Sequence, residues 1–133
     1  MSRHRYHCHV RFSDVDVYGH VNNVKYFEYY QEARLAFIWS LGRDADEPGP
    51  GLVVARLDVD YKIPILFRPE PYTVETWVTR IGGSSFDLAC EIRDDDRVLS
   101  RATAVMVCFD LDSQRSRPLT AGERGRLEKV LEA

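Results

Sequence analysis

No run of about 18 apolar residues, the length a membrane-crossing helix needs, occurs anywhere in the chain. The opening residues Met-Ser-Arg-His-Arg-Tyr-His also lack the apolar core of a signal peptide, so neither insertion nor export is indicated and the cytoplasm is the expected location. Cysteine is scarce: Cys8, Cys90 and Cys108 form an odd, widely spaced set, each inside a strand-like apolar pattern. That suits small buried reduced thiols and argues against a disulfide framework. No pair of them has metal-ligand spacing. His7 and His9 would share one face of a strand, but no cysteine or carboxylate ligand lies near them in sequence, so no metal site is expected. A net charge of −3 with both signs interspersed gives no general attraction for nucleic acid or an anionic membrane, and neither is expected as a partner. The chain also lacks a Gly-x-Ser-x-Gly elbow, and neither Ser13 nor Ser84-Ser85 has the strand-to-helix setting that exposes a serine nucleophile. Repeats, low-complexity segments and linkers are missing too.

What is present is an ordinary globular composition: 133 residues, 44% hydrophobic and 11% aromatic, enough for one domain over residues 1 to 133. Strict alternation from Tyr6 to Phe12 predicts a half-buried strand, with Tyr6, Cys8, Val10 and Phe12 inward. Residues 23 to 41 place Tyr26, Tyr30, Ala33, Phe37 and Leu41 at helical steps, which predicts a helix of about 28 Å with Asn22 as N-cap and Gly42 at its end. Residues 44 to 51 hold too much proline and glycine for a helix and read as a loop. Alternation then predicts strands over 53 to 63 with one face buried, over 72 to 81, and from Ser85, the last two joined by Gly82-Gly83 with positive φ. After the Asp94-Asp95-Asp96 turn, residues 97 to 110 are apolar on both alternating sets, which predicts a central strand covered on both faces. Thr120-Ala-Gly-Glu123 reads as a capping box opening a short C-terminal helix. The class is α+β, a helix against an antiparallel sheet.

The most informative residues are 14 to 26, Asp-Val-Asp-Val-Tyr-Gly-His-Val-Asn-Asn-Val-Lys-Tyr. An acidic pair and a Gly-His turn stand directly ahead of the helix. The first N–H groups of a helix have no partner within it and carry partial positive charge, so they can hold an oxygen that becomes negative during a reaction. Asp14 or Asp16 could supply the other half, a group that attacks or makes water attack. A loop carboxylate capping a turn explains an Asp at this place as well.

The run Asp14-x-Asp16-x-x-Gly19-His20-Val21-Asn22-Asn23-x-x-Tyr26 resembles the signature of the 4-hydroxybenzoyl-CoA thioesterase family, and every motif position is filled. The likeness extends more loosely over residues 4 to 110, through Tyr61-x-x-Pro64 and Gly82-Gly83-Ser84-Ser85-Phe86, and departs at Arg68-Pro69-Glu70-Pro71. It implies a hotdog fold: a five-stranded antiparallel sheet wrapped around one long central helix, with a short C-terminal helix. The implied activity is hydrolysis of an acyl-CoA thioester to the free acid and coenzyme A without a cofactor, in a homodimer or homotetramer.

Carried over residue by residue, the resemblance assigns Asp16 as general base or nucleophile and the backbone N–H of Asn23 as the amide polarising the carbonyl. His20 joins the catalytic set, orienting Asp16 or the thioester. Gly19, Asn22 and Tyr26 are assigned to substrate binding, Gly19 by permitting the turn. Asp14 is expected to be structural, pairing with Arg11 or loop amides. Glu28 and Glu32 find a simpler explanation in pairing with Lys25 or Arg34. Arg80, Arg93, Arg97 and Arg101 are candidates for the coenzyme A phosphates. A non-catalytic acyl-thioester binder and a thioesterase acting on acyl carrier protein are the alternatives.

Overall fold

The computed structural model describes residues 3–48 and 51–132. In chain order it has β1 (His4–Cys8), a single 3-10 turn (Phe12–Asp14), α1 (Lys25–Leu41), β2 (Leu52–Tyr61), β3 (Tyr72–Ile81), β4 (Ser85–Asp94), β5 (Arg97–Asp110), β6 (Arg115–Ser116) and α2 (Ala121–Glu128). The sheet is antiparallel in the order β1-β3-β4-β5-β2, and the two-residue β6 folds back on the end of β5. The α+β expectation therefore holds, with six strands in place of five.

Helix α1 is held to the sheet by its inward stripe. Tyr26, Tyr29, Tyr30 and Ala33 pack with Val74, Cys90, Ile92 and Ala102, while Phe37 joins a second cluster with Val78, Phe86, Leu88, Met106 and Leu127 from α2. Each large apolar side chain among these contributes about 1.5–3 kcal/mol when taken out of water, which is why the helix forms here despite three tyrosines. The picture of a sheet wrapped around one long central helix needs correction. The helix has 17 residues, lies early in the chain, and leaves Gln31, Glu32, Leu35 and Trp39 exposed on its outer side. It also begins two residues later than expected. Val24 is the N-cap without a side-chain bond, and Asn22 instead turns the chain ahead of it, its Oδ1 accepting the Val24 N–H at 3.2 Å. Gly42 does end the helix with φ of 75°.

Other local expectations fare unevenly. β3 has the predicted bounds, and Thr120 and Glu123 cap α2 reciprocally. β1 stops at Cys8, so Phe12 lies exposed in the 3-10 turn. Gly82 and Gly83 do not have positive φ; a Cβ on Gly82 would sit 3.0 Å from Ser85 Oγ and 3.2 Å from Ser85 O, a tight fit in the β3–β4 turn, while one on Gly83 would meet nothing within 4 Å. β5 is internal, and the side carrying Ser100, Ala102, Ala104, Met106 and Cys108 is covered; on the other alternating set Leu99 is buried and Val105 and Val107 are half-buried, while Arg101 and Thr103 are exposed. β2 is an edge strand with a bulge at Ala55 and is largely open, Val53 and Val54 included. The three thiols are free and buried, and burial pushes Cys90 up to about 11.

Candidate active site

The loop from Asp14 to Asn23 is folded on itself and stitched to the segment before β3. Val15 pairs with Val21 and His20 with Leu66, and the Val21 N–H donates to Ile65 O at 2.8 Å. At its tip the Asp16 N–H donates to His20 O (2.8 Å) and Gly19 N–H to Asp16 O (3.0 Å). Gly19 adopts φ of 78° with nothing within 4 Å of an added Cβ, so it is backbone conformation and not space that calls for glycine. Asp16 is exposed. Its Oδ1 accepts the Tyr18 N–H at 2.9 Å and the His20 N–H at 3.3 Å, the geometry of an Asx turn.

Asp14 has a different environment. It is 0% exposed, and its Oδ2 accepts the Tyr29 hydroxyl at 2.6 Å and the Arg11 backbone N–H at 3.0 Å. The Arg11 guanidinium adds a bond from Nε at 3.3 Å, with Nη2 at 3.1 Å from Oδ1. Burial alone would raise the Asp14 carboxyl, but the Tyr29 and Arg11 donors outweigh it and leave the group below the ordinary carboxylate range. The carbonyl of Asp14 also accepts the Asn22 N–H at 2.8 Å, tying the start of the loop to its end. The two acids thus divide by environment: one clamped in the core, one presented on a turn.

Of the residues assigned to the site, Asp16, Gly19, His20, Asn22 and Asn23 come together on this one loop. Asn22 and Asn23 are exposed, immediately before the first turn of α1. Tyr26 is set apart: it is 3% exposed, inside the core, with its ring edge-on to Tyr61 at 4.7 Å. Tyr61 is the residue that sequence reasoning overlooked as a site member, for its hydroxyl donates to Asn23 O at 3.1 Å and so holds the peptide at the helix entrance. The Tyr61-x-x-Pro64 run was the available signal. Glu28 pairs with Lys25 at 2.8 Å, as expected, and with Arg11 at 3.5 Å. Among the described residues, no group of three or more His, Cys, Asp or Glu side chains is placed to hold a metal ion.

With that geometry in hand, the comparison with known proteins is direct: a model of the thioesterase-like superfamily matches residues 10–129. The chain belongs to this superfamily. Long-chain acyl-CoA thioesterase FadM of Escherichia coli (strain K12) is 27% identical over 131 residues, spanning 92% of this chain and 95% of that protein. A thioesterase of Thermus thermophilus, solved in complex with coenzyme A and Zn, is 30% identical with a TM-score of 0.82, covering 95% of this chain and 92% of its own. A predicted thioesterase from Bacillus stearothermophilus superposes with a TM-score of 0.86 at 25% identity, over 96% of both chains. Likeness in sequence and fold along nearly the whole chain makes this protein a thioester hydrolase.

In this thioesterase the four arginines offered for phosphate binding are all engaged with carboxylates. Arg93 and Arg101 bind Glu91, which also takes Arg3 at 3.2 Å and is 1% exposed. Arg97 faces Asp94 at 3.6 Å and Arg80 faces Asp87 at 3.7 Å. Arg3 in addition lies over the Trp77 ring at 3.4 Å, so this cluster covers the sheet face opposite α1. Among the described residues, no helix is long and apolar enough to cross a membrane.

Proposed function

We propose that this thioesterase hydrolyses acyl-CoA thioesters to the free carboxylic acid and coenzyme A, with Asp16 as the group that activates the attack. The observation that carries the reading is the position of Asp16 on a glycine-pinned turn at the entrance of α1, exposed, while the neighbouring Asp14 is committed to Arg11 and Tyr29. FadM, named for long-chain acyl-CoA, and the coenzyme A complex of the Thermus protein support the choice of carrier.

In this mechanism a water molecule gives a proton to the Asp16 carboxylate as its oxygen bonds to the thioester carbon. The carbonyl oxygen becomes an oxyanion, held by the Asn23 N–H at the positive end of the helix. Collapse breaks the C–S bond, the thiolate departs and takes up the proton, and the acid is released. If Asp16 itself attacks, a mixed anhydride forms first and water cleaves it afterwards. In this reading His20 orients Asp16 or the thioester, Gly19 and Asn22 shape the approach, and Tyr26 supports the substrate-binding side of the loop from the core.

The single domain is proposed to work as a homodimer or homotetramer in the hotdog arrangement, in the cytoplasm, where three unpaired thiols are stable. Exposed apolar side chains around the loop support assembly: Phe12, Val17 (93% exposed), Tyr18, Leu66 and Phe67. Thiol release from a panel of short, long and aryl acyl-CoAs tests the activity, and sedimentation of the purified protein tests the assembly. Turnover of none of these thioesters would remove acyl-CoA as the substrate.

A further inference from the structure

At the far end of α1 from Asp16 lies a cavity of about 720 Å³, bounded by the C-terminal half of the helix, the starts of β2 and β4, the end of β5, and α2. The size is that of a small-molecule site. Its walls are mostly apolar, with Ile38, Leu41, Leu52, Phe86, Met106 and Leu127 among them, and no residue of the loop from 14 to 26 reaches it. Among the described residues, one buried cation of this wall has no counterion. Arg34 is 8% exposed, and its Nη1 is buried with no hydrogen-bond acceptor.

The acids that also line the cavity are taken. Glu123 is held by Arg117 through two bonds of 2.8 Å, and Glu47 by Arg126. The Cys90 thiol, whose charge would act on Arg34, is kept neutral by burial. Arg43, at the rim, bonds the carbonyls of Glu47 and Pro48. An unpaired cation in a low-dielectric wall is costly, and one carboxylate placed against it would recover part of that cost.

We propose that this cavity binds a monocarboxylic acid with an apolar chain, its carboxylate on Arg34 and its chain along Ile38, Leu41, Phe86 and Met106. This site is separate from the turn carrying Asp16 and does not rest on the role given to that residue, because ligand binding is read without hydrolysis.

Calorimetric titration with decanoate and with decanol tests the proposal, since the two share a chain and differ in charge. The wild-type protein should bind decanoate at least about tenfold more tightly, the scale of one charge-assisted hydrogen bond made away from water. Arg34→Met should erase that preference and keep decanol binding, with an equal or higher melting temperature because a costly unpaired cation has been removed. Ile38→Trp, which fills the cavity, should weaken both ligands. Equal affinity of the two ligands, binding of neither (as when a second copy of the chain covers the cavity), a preference that survives Arg34→Met, or affinities untouched by Ile38→Trp would each overturn it.

Discussion

Replacing Asp14 by alanine should be a stability lesion. The substitution strips the Tyr29 hydroxyl of its acceptor in a place where water cannot substitute, since Tyr29 is buried and its bond to Asp14 is 2.6 Å long. A buried donor left unsatisfied costs about 1–3 kcal/mol. The Arg11 backbone N–H loses its bond as well, while the Arg11 side chain is largely exposed and its ion pair adds at most about 1 kcal/mol. The sum is about 3 kcal/mol, or about 9–15 °C of melting temperature for a domain of this size. The assay is thermal unfolding followed by circular dichroism, with Asp16→Ala alongside, which should melt within a few degrees of wild type because Asp16 is exposed. A cycle with Tyr29→Phe sharpens the test: the double variant should be less destabilised than the sum of the singles by at least about 1 kcal/mol, since both remove one bond. An Asp14→Ala protein that melts like wild type yet loses most of its turnover would refute the reasoning and show the two acids reversed.

Glu123 gives a pH signature. Arg117 holds its carboxyl down at about 2 against an ordinary 4.5, in spite of burial, so its contribution is fully present above pH 4.5 and is lost as pH falls toward 2. In acid titrations Glu123→Gln should be destabilised at neutral pH and converge with wild type near pH 2; parallel curves would refute this. Gly19→Ala should cost about 1–2 kcal/mol through its φ of 78° alone and lower kcat by moving the turn, as thermal melts and steady-state kinetics would record; an unchanged melt and rate would mean the loop tolerates the strain. Tyr61→Phe should leave stability within about 1 kcal/mol, since Tyr61 is partly exposed, while reducing kcat through a looser Asn23 peptide. Unchanged kcat would separate Tyr61 from the site.

The features legible from sequence were those decided by near neighbours. The Thr120–Glu123 capping box, the helix end at Gly42 and the pairing of Asp14 with Arg11 depend on residues three apart or on one glycine's φ, and β3 carries its own two-residue alternation. Misreadings arose where distant residues decide. Glu91 lies on the sheet face away from α1 and is buried there because Arg3, 88 residues away in sequence, seals it together with Arg93 and Arg101, which no local pattern announces. The apolar residues of β2 and the outer side of β5 suggested covered faces; an edge position and a bulge leave β2 open. Asn22 has cap chemistry, yet the turn it makes delays the helix to Lys25. The site motif was legible because it is one contiguous loop. Tyr61, 38 residues beyond Asn23, was not.

The most direct test of the account is thiol release from acyl-CoAs by wild type and Asp16→Asn assayed side by side, with melting temperatures measured on the same samples. The account predicts hydrolysis by the wild type and a kcat lower by at least about 10² in a variant that melts and assembles normally, the range of a general-base contribution. An Asp16→Asn protein with near-wild-type turnover would contradict it.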